Sequence, residues 1–237
     1  MTLAFAVNAG VATITLDRAE ARNALNLQMC EALRDAALRA AAHAQVRVVF
    51  VRGSGPVFCA GADVKERAGM SEDQVRQRRM KGFAAYEALE SLPMPSVALV
   101  QGAALGSGAD IAAACDFIVA TPDAVFGTPE AQRGTVGATQ RLPRVLGKRL
   151  AKDLMFTGRR LTAEEARIAG LVSRISADLD REMQSIAKAI LQAPAEALRL
   201  AKQCIDRGVE LDPRGAREVE LEAIERQLAS GKWMGKA

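Results

Sequence analysis

The sequence predicts an α/β protein that ends in helices. Three observations carry this. Short apolar runs and helical patterns alternate through residue 175. Two Gly-containing turns, Phe58-Cys59-Ala60-Gly61-Ala62-Asp63 and Leu105-Gly106-Ser107-Gly108, follow apolar runs and precede helical ones. From about Leu179 only helical periodicity remains. Interleaved strands and helices argue for an α/β core, and a purely helical tail for a separate layer. The division is residues 1–175 as the core and 176–237 as a helical C-terminal region.

Leu3–Val7 and Val11–Leu16 flank Asn8-Ala9-Gly10 and read as a hairpin. Asn26 is a suitable N-cap for a helix over Leu27–Ala44, with Met29, Leu33, Ala36, Ala37 and Ala40 forming its apolar stripe. Val46–Val51 reads as a strand. Ala62–Gly69 reads as irregular or briefly helical. Ser71-Glu72-Asp73-Gln74 has the form of a capping box for a helix that Pro93 and Pro95 end. Ser96–Val100 and Phe117–Ala120 are expected strands, with a helix over Ala109–Cys115 between them. Helical segments follow around Leu150–Phe156 and Glu164–Ala169, the latter with its own capping box, Thr162 to Glu165, and Gly170 as its stop. Leu171–Ile175 reads as a strand. Breaks are expected near Pro194 and at Asp212-Pro213.

Composition narrows the function. The 237 residues are 49% hydrophobic and 25% charged, enough for a sizeable core. A net charge of +4 suits a phosphorylated ligand without demanding nucleic acid, and 4% aromatic residues argue against a base-stacking platform. The basic run Arg76-Gln77-Arg78-Arg79-Met80-Lys81 reads as a solvated helix face. Cys30, Cys59, Cys115 and Cys204 are widely spaced, which gives neither a zinc nor a redox motif. His43 reads as a helix-surface residue, leaving no second histidine for a nucleophile–histidine system. No signal peptide is visible, and the most apolar stretch, Ser96–Ala120, is interrupted by Gln101, Asp110 and Asp116. A cytoplasmic protein with no membrane span is expected.

Gly106-Ser107-Gly108 either makes a tight strand-to-helix turn or lets backbone N–H groups approach a ligand. Asp110 lies among apolar neighbours, and Glu130 follows Phe126-Gly127-Thr128-Pro129. Such carboxylates are capping groups, paired, protonated or functional.

The ordered set of motifs is more specific than any member. Arg22-Asn23-Ala24-Leu25, Phe58–Asp63, Gly102–Gly108, Ala112–Asp116 and Phe126–Glu130 occur in that order. Thr139-Gln140-Arg141-Leu142-Pro143-Arg144, Thr157-Gly158-Arg159-Arg160 and Ala166-x-x-x-Gly170-Leu171-Val172 follow. Together they resemble the enoyl-CoA hydratase/isomerase (crotonase) family over nearly the whole chain. The resemblance implies a spiral of ββα units with a C-terminal helical trimerisation region, assembled as a homotrimer or a homohexamer. It implies an acyl-CoA thioester substrate, with coenzyme A part of the substrate and no further cofactor. It implies an oxyanion hole from the N–H groups of Ala62 and Ser107. Donors of this kind are worth about 3–4 kcal/mol each in a transition state. Arg22, Ala24, Ala60, Gly61, Asp63, Val64, Lys65 and Gly106 fall where relatives line the CoA pocket.

Asp110 and Glu130 fall where family hydratases carry two glutamates. Asp110 is one methylene shorter, which retracts its carboxylate by roughly 1.5 Å. The segment 134–140 is a few residues shorter than the usual family loop, and no acid stands between Glu130 and Arg144. The expected function is hydration of a trans-2-enoyl-CoA. The alternatives are an enoyl-CoA isomerase using Glu130 and a non-catalytic acyl-CoA or RNA-binding scaffold. Lys232, Trp233 and Lys236 are candidate contacts to a phosphate or adenine.

Overall fold

The structure is a computed structural model that describes residues 2–231, so Lys232, Trp233 and Lys236 lie outside the described residues. Strands β1 (Leu3–Asn8) and β2 (Val11–Leu16) form the expected hairpin. Its two-residue turn, Ala9-Gly10, has positive φ at both positions, the twist that matches flanking strands. With β3 (Val48–Gly53), β4 (Ser96–Val100), β6 (Phe117–Ala120) and β9 (Arg174–Ile175) they build a six-stranded sheet ordered β1-β2-β3-β4-β6-β9. Only β1 is antiparallel to its neighbour.

The central strands are apolar at every step because both faces are covered. Val49, Val51, Ala98 and Val100 face the main core. Val48, Phe50, Val97 and Leu99 face the other way, against Leu179, Ile186 and Ala187 of α7 (Leu179–Gln192). The main core is closed by α1 (Leu27–Ala42), capped by the Asn26 side chain at 2.9 Å from the Met29 N–H, and by α3 (Glu72–Glu90). The predicted stripe of α1 is fully buried, and its alanines let α3 approach closely.

A second, three-stranded sheet is formed by β5 (Ala103–Leu105), β7 (Val125–Gly127) and β8 (Leu161–Thr162). No local pattern marks these pieces, each only two or three residues long. They pair because each sheet strand is followed by a sharp turn that sends the chain into a second layer. Cys59 bridges Ala104, and Ala104 in turn pairs with Phe126. Three successive units therefore run strand, second-layer segment, helix, which is the expected ββα spiral. Helix α2 (Val64–Arg67) and α3 close one unit, α4 (Ser107–Ala113) the next and α5 (Arg141–Thr157) the third.

Five boundaries correct the sequence reading: α1 stops at Ala42 rather than Ala44, β3 runs over Val48–Gly53 rather than Val46–Val51, and three more lie further along the chain. Helix α4 starts two residues earlier than expected, at Ser107. Helix α5 starts at Arg141 rather than near Leu150, because Pro143 sits in the first turn, where its missing N–H costs nothing, and the break falls instead at Gly147 (φ 73°). Strand β9 covers only Arg174–Ile175, since Gly170 ends α6 (Ala163–Ile168) in a left-handed turn that occupies the preceding residues.

The basic run is also corrected. Arg78 is buried, pairing through Nε with Glu66 at 2.9 Å and donating through Nη2 to the Leu25 carbonyl. Glu66 in turn accepts from the Leu27 N–H at 2.9 Å. Arg79 turns toward the loop 134–140, donating to the Thr135 hydroxyl and the Val136 carbonyl. Helical spacing puts 78 and 79 on the inner side of α3 while Arg76, Gln77 and Lys81 stay exposed. Arg78→Met is expected to lower stability by about 2 kcal/mol, because it leaves the Glu66 charge with only the Leu27 N–H and the Leu25 carbonyl with only the Asp63 N–H. Urea unfolding checks this, and a loss under about 1 kcal/mol would show the pair to be dispensable.

Helices α8 (Ala195–Gly208) and α9 (Pro213–Ala229) pack on each other. Lys202 reaches Asp116, whose carboxylate also accepts the Ser96 N–H at 2.7 Å, so α8 is tied to the sheet. Ile205, Val209, Leu221 and Ile224 remain exposed on this pair. No described helix is long and apolar enough to cross a membrane.

Candidate active site

The site follows from strand register. Cys59 is opposite Ala104, so the residues three positions on, Ala62 and Ser107, stand side by side. Phe126 is opposite Ala104, so Pro129 and Glu130 arrive next to them in the following unit. Ala62 pairs with Leu25 through the Gly61 carbonyl and the Asp63 N–H, at 2.8 and 2.9 Å, which turns the Ala62 N–H to the opposite side. Ser107 opens α4, so its N–H is the first of the orphan donors at the helix start. No acceptor among the described residues takes either N–H.

Glycine allows this convergence. Gly106 has φ 51° and ψ −115°, a conformation open only to glycine, and a Cβ there would lie 2.5 Å from Glu130 Oε1. A Cβ at Gly108 would lie 2.3 Å from the Cys59 carbonyl oxygen, so α4 sits directly on that segment. Ser107 itself has no positive φ. The strain that needs glycine falls on position 106, and serine is tolerated at 107.

The two carboxyls lie on either side of these donors. Glu130 is pressed between Gly106 and Gly137, where a Cβ would meet its Cγ at 3.1 Å. Its Oε2 is buried with no hydrogen-bond partner among the described residues. Burial raises the Glu130 carboxyl above the ordinary range, against its own backbone N–H and the charges of Arg133 and Arg79. Asp110 is the fourth residue of α4 and 6% exposed. Burial pushes its carboxyl up to about 7; Arg141 and the Ala138 N–H oppose this, and Glu130 and Glu90 add to it. Asp110 does not cap α4 through its side chain. The two acids, Ala62 and Ser107 border one cavity, walled on the far side by Tyr86 and Phe83 of α3.

Several residues of the site carry no signal in isolation. Arg141 pairs with Glu90 at 2.6 Å and lies 5.6 Å from the Tyr86 ring centroid. The Ser107 hydroxyl meets the Tyr86 phenol, whose ionisation burial strongly disfavours. Arg141 lies in the segment 139–144 and Arg79 in the basic run of α3, and only tertiary contacts, with Glu90 and Tyr86 for the first and Thr135 for the second, bring them to the acids.

The remaining candidates form the approach to Ala62. The Ala60 N–H donates to the Arg22 carbonyl at 3.0 Å and the Leu25 N–H to the Gly61 carbonyl, so the two segments share a short ladder. Buried Asn23 holds it by donating to the Ser54 and Val57 carbonyls. Asp63 caps α2 and pairs with Arg18 at 3.0 Å, which lowers its carboxyl despite burial. Its carboxylate is thus engaged in shaping the loop. The side chains of Arg22, Val64 and Lys65 are exposed, and Ala24 is half-buried. Gly61 and Gly106 line a second cavity that adjoins the first at Ala62 and Glu130.

Two N–H groups that no described residue accepts meet at the join of neighbouring ββα units, faced by one buried and one half-buried acid, the arrangement of an α/β spiral enzyme. The chain belongs to the enoyl-CoA hydratase/isomerase family, whose model matches residues 6–232. It is 40% identical over 223 residues to human "enoyl-CoA hydratase domain-containing protein 2, mitochondrial", covering 89% of this chain and 76% of that protein. The crystal structure of an enoyl-CoA hydratase from Bacillus anthracis superposes with a TM-score of 0.91 at 37% identity, covering 95% of this chain and 90% of that one. One from Mycobacterium smegmatis gives 0.92 at 32% identity, covering 96% and 91%. The protein is therefore a crotonase-fold enzyme of the enoyl-CoA hydratase or isomerase type, and proteins of this family act on acyl-CoA thioesters.

Proposed function

We propose that the protein hydrates a trans-2-enoyl-CoA. The observation that carries this is the meeting, on one cavity, of buried Asp110 and half-buried Glu130, both with raised proton affinity, and the free N–H groups of Ala62 and Ser107. The thioester oxygen accepts from both N–H groups, which stabilise it as the enolate forms. Glu130 lies against Gly106, next to the Ser107 donor, and so beside C2 of the acyl group. Asp110 lies one turn further along α4, roughly 4.5 Å of helix rise from Ser107, toward C3. The water held between the acids adds its hydroxyl to C3 as it gives up a proton to Asp110, and Glu130 delivers a proton to C2. The step needs one acid ionised and the other protonated; burial raises both carboxyls, and the charge of Glu130 raises Asp110 further. Water and the enoyl thioester balance the reaction, so it calls for no cofactor.

The test is a trans-2-enoyl-CoA incubated in deuterated water and read by mass. Hydration adds the mass of water. Exchange of deuterium without that gain supports the second reading, isomerisation by Glu130 alone. One observation favours that reading: Asp110 is engaged by Arg141 and the Ala138 N–H, whereas Glu130 keeps an unpartnered oxygen.

The raised carboxyl of Asp110 also predicts a pH dependence of stability. Its folded value, about 7, lies above the ordinary 3.8, so the folded state favours the protonated form. This contribution is fully present below about pH 4 and is lost as pH rises toward 7. The stability of the protein minus that of Asp110→Asn should therefore fall between pH 4 and pH 7 and level off above. Unfolding in urea at fixed pH values measures it, and a difference that is flat with pH would sink the assignment.

The same reading includes a homotrimer or homohexamer, supported by the apolar residues left exposed on α8 and α9. Sedimentation equilibrium tests it. It also includes a reducing, cytoplasmic setting, supported by four free thiols of which three are buried.

A further inference from the structure

The wall of the acyl cavity formed by α2 and α3 does not suit a plain hydrocarbon. Arg67, at the end of α2, borders both the cavity of the two acids and the adjoining cavity beneath Gly61. It is half-buried, and no carboxylate among the described residues pairs with it. Its neighbours differ: Arg18 is held by Asp63 at 3.0 Å and Arg78 by Glu66 at 2.9 Å. Arg79, on the same wall, directs its donors at neutral oxygens of Thr135 and Val136. Asp110 and Glu130 border the same cavity, on α4 and after β7, and the charges of Arg79 and Arg133 act on Glu130. A substrate that fills the cavity therefore desolvates a guanidinium on one wall, which is costly unless an acceptor meets it. A carboxylate matches the guanidinium fork best.

We infer that the acyl group this enzyme takes carries a distal carboxylate, bound by Arg67 with Arg79 adding positive charge from the same wall. The inference deepens the hydratase reading and rests on it for which end of the ligand enters this cavity. An anion could also reach Arg67 from the other cavity, as a phosphate of coenzyme A, and the test separates the two sources.

Binding of glutaryl-CoA is compared by calorimetry with that of its uncharged ω-amide, on the full chain. The protein should favour the acid by at least about tenfold. Arg67→Gln should remove that preference, and Arg67→Lys should keep part of it. The preference should persist when both ligands are made as pantetheine thioesters, which lack the nucleotide phosphates. Equal binding of acid and amide by the unaltered protein overturns the inference. So does equal weakening of both by Arg67→Gln that vanishes in the pantetheine series, which would assign Arg67 to a CoA phosphate. If Arg67→Gln does not fold, the acid-to-amide ratio of the unaltered protein and of Arg67→Lys decides. Turnover keeps the two readings apart. Selective binding with no water added to any enoyl-CoA would sink the hydratase reading alone. Hydration of crotonyl-CoA without acid selectivity would sink the inference alone.

Discussion

Glu130→Gln is expected to lower kcat for hydration about a thousandfold while binding of a saturated acyl-CoA changes little. The substitution keeps the shape of the side chain between Gly106 and Gly137 but removes the proton that the carboxyl exchanges with C2. Positioned acid–base groups typically contribute 10²- to 10⁴-fold. Glu130 should lie in the upper part of that range, because burial has already raised its proton affinity and its Oε2 has no other partner. The fall in conjugated-enoyl absorbance on adding a trans-2-enoyl-CoA measures the rate. A variant that kept a tenth of the activity would remove Glu130 from the chemistry.

The second large effect is expected at Gly106, a position that carries no functional group. Gly106→Ala should cost about a hundredfold in kcat and lower stability by about 1–3 kcal/mol. Two causes act together. Alanine is strained at φ 51°, ψ −115°. Its Cβ would also lie 2.5 Å from Glu130 Oε1, so either the carboxyl or the start of α4 must move by about an ångström. Moving α4 displaces the Ser107 donor, and moving the carboxyl displaces the proton. Gly170→Ala, at the end of α6, is the control, since nothing lies within 4 Å of a Cβ there. Its positive φ costs stability without touching the site. A Gly106→Ala enzyme with unchanged kcat would show that the donors and the acid are not held in register by this contact.

Much of this architecture is legible in the chain before it folds. The hairpin, the N-caps Asn26 and Ser71, the capping box at Thr162 and the breaks at Pro194 and Pro213 are local signals, and each appears where expected. The motif order implies the family and its ββα spiral, and the family model matches residues 6–232. The second sheet was not legible from pattern. Its strands are two or three residues long, too short for periodicity, and they exist only because neighbouring units stack.

The basic run on α3 shows the limit most plainly. The run reads as one solvated face, yet a half-buried carboxylate, Glu66, draws Arg78 into the core, and the loop 134–140 draws Arg79 to the cavity. Neither partner is near in sequence. Arg141 is similar: its place beside Asp110, Glu90 and Tyr86 requires α5 to begin at 141, which Pro143 concealed.

For the opening feature of this chain, the two Gly-containing turns, the division is clear. The order of residues marks Gly61 and Gly106 as places where backbone can come close, because a residue without a Cβ leaves room for it, and marks a helix just beyond each. The tertiary structure alone decided that the two turns meet. The pairing of Cys59 with Ala104 and of Ala104 with Phe126 sets one register across three units, and that register brings the Ala62 and Ser107 N–H groups beside Glu130. Strand pairing joins residues about 20 to 45 positions apart, a separation across which no periodicity in the chain can act.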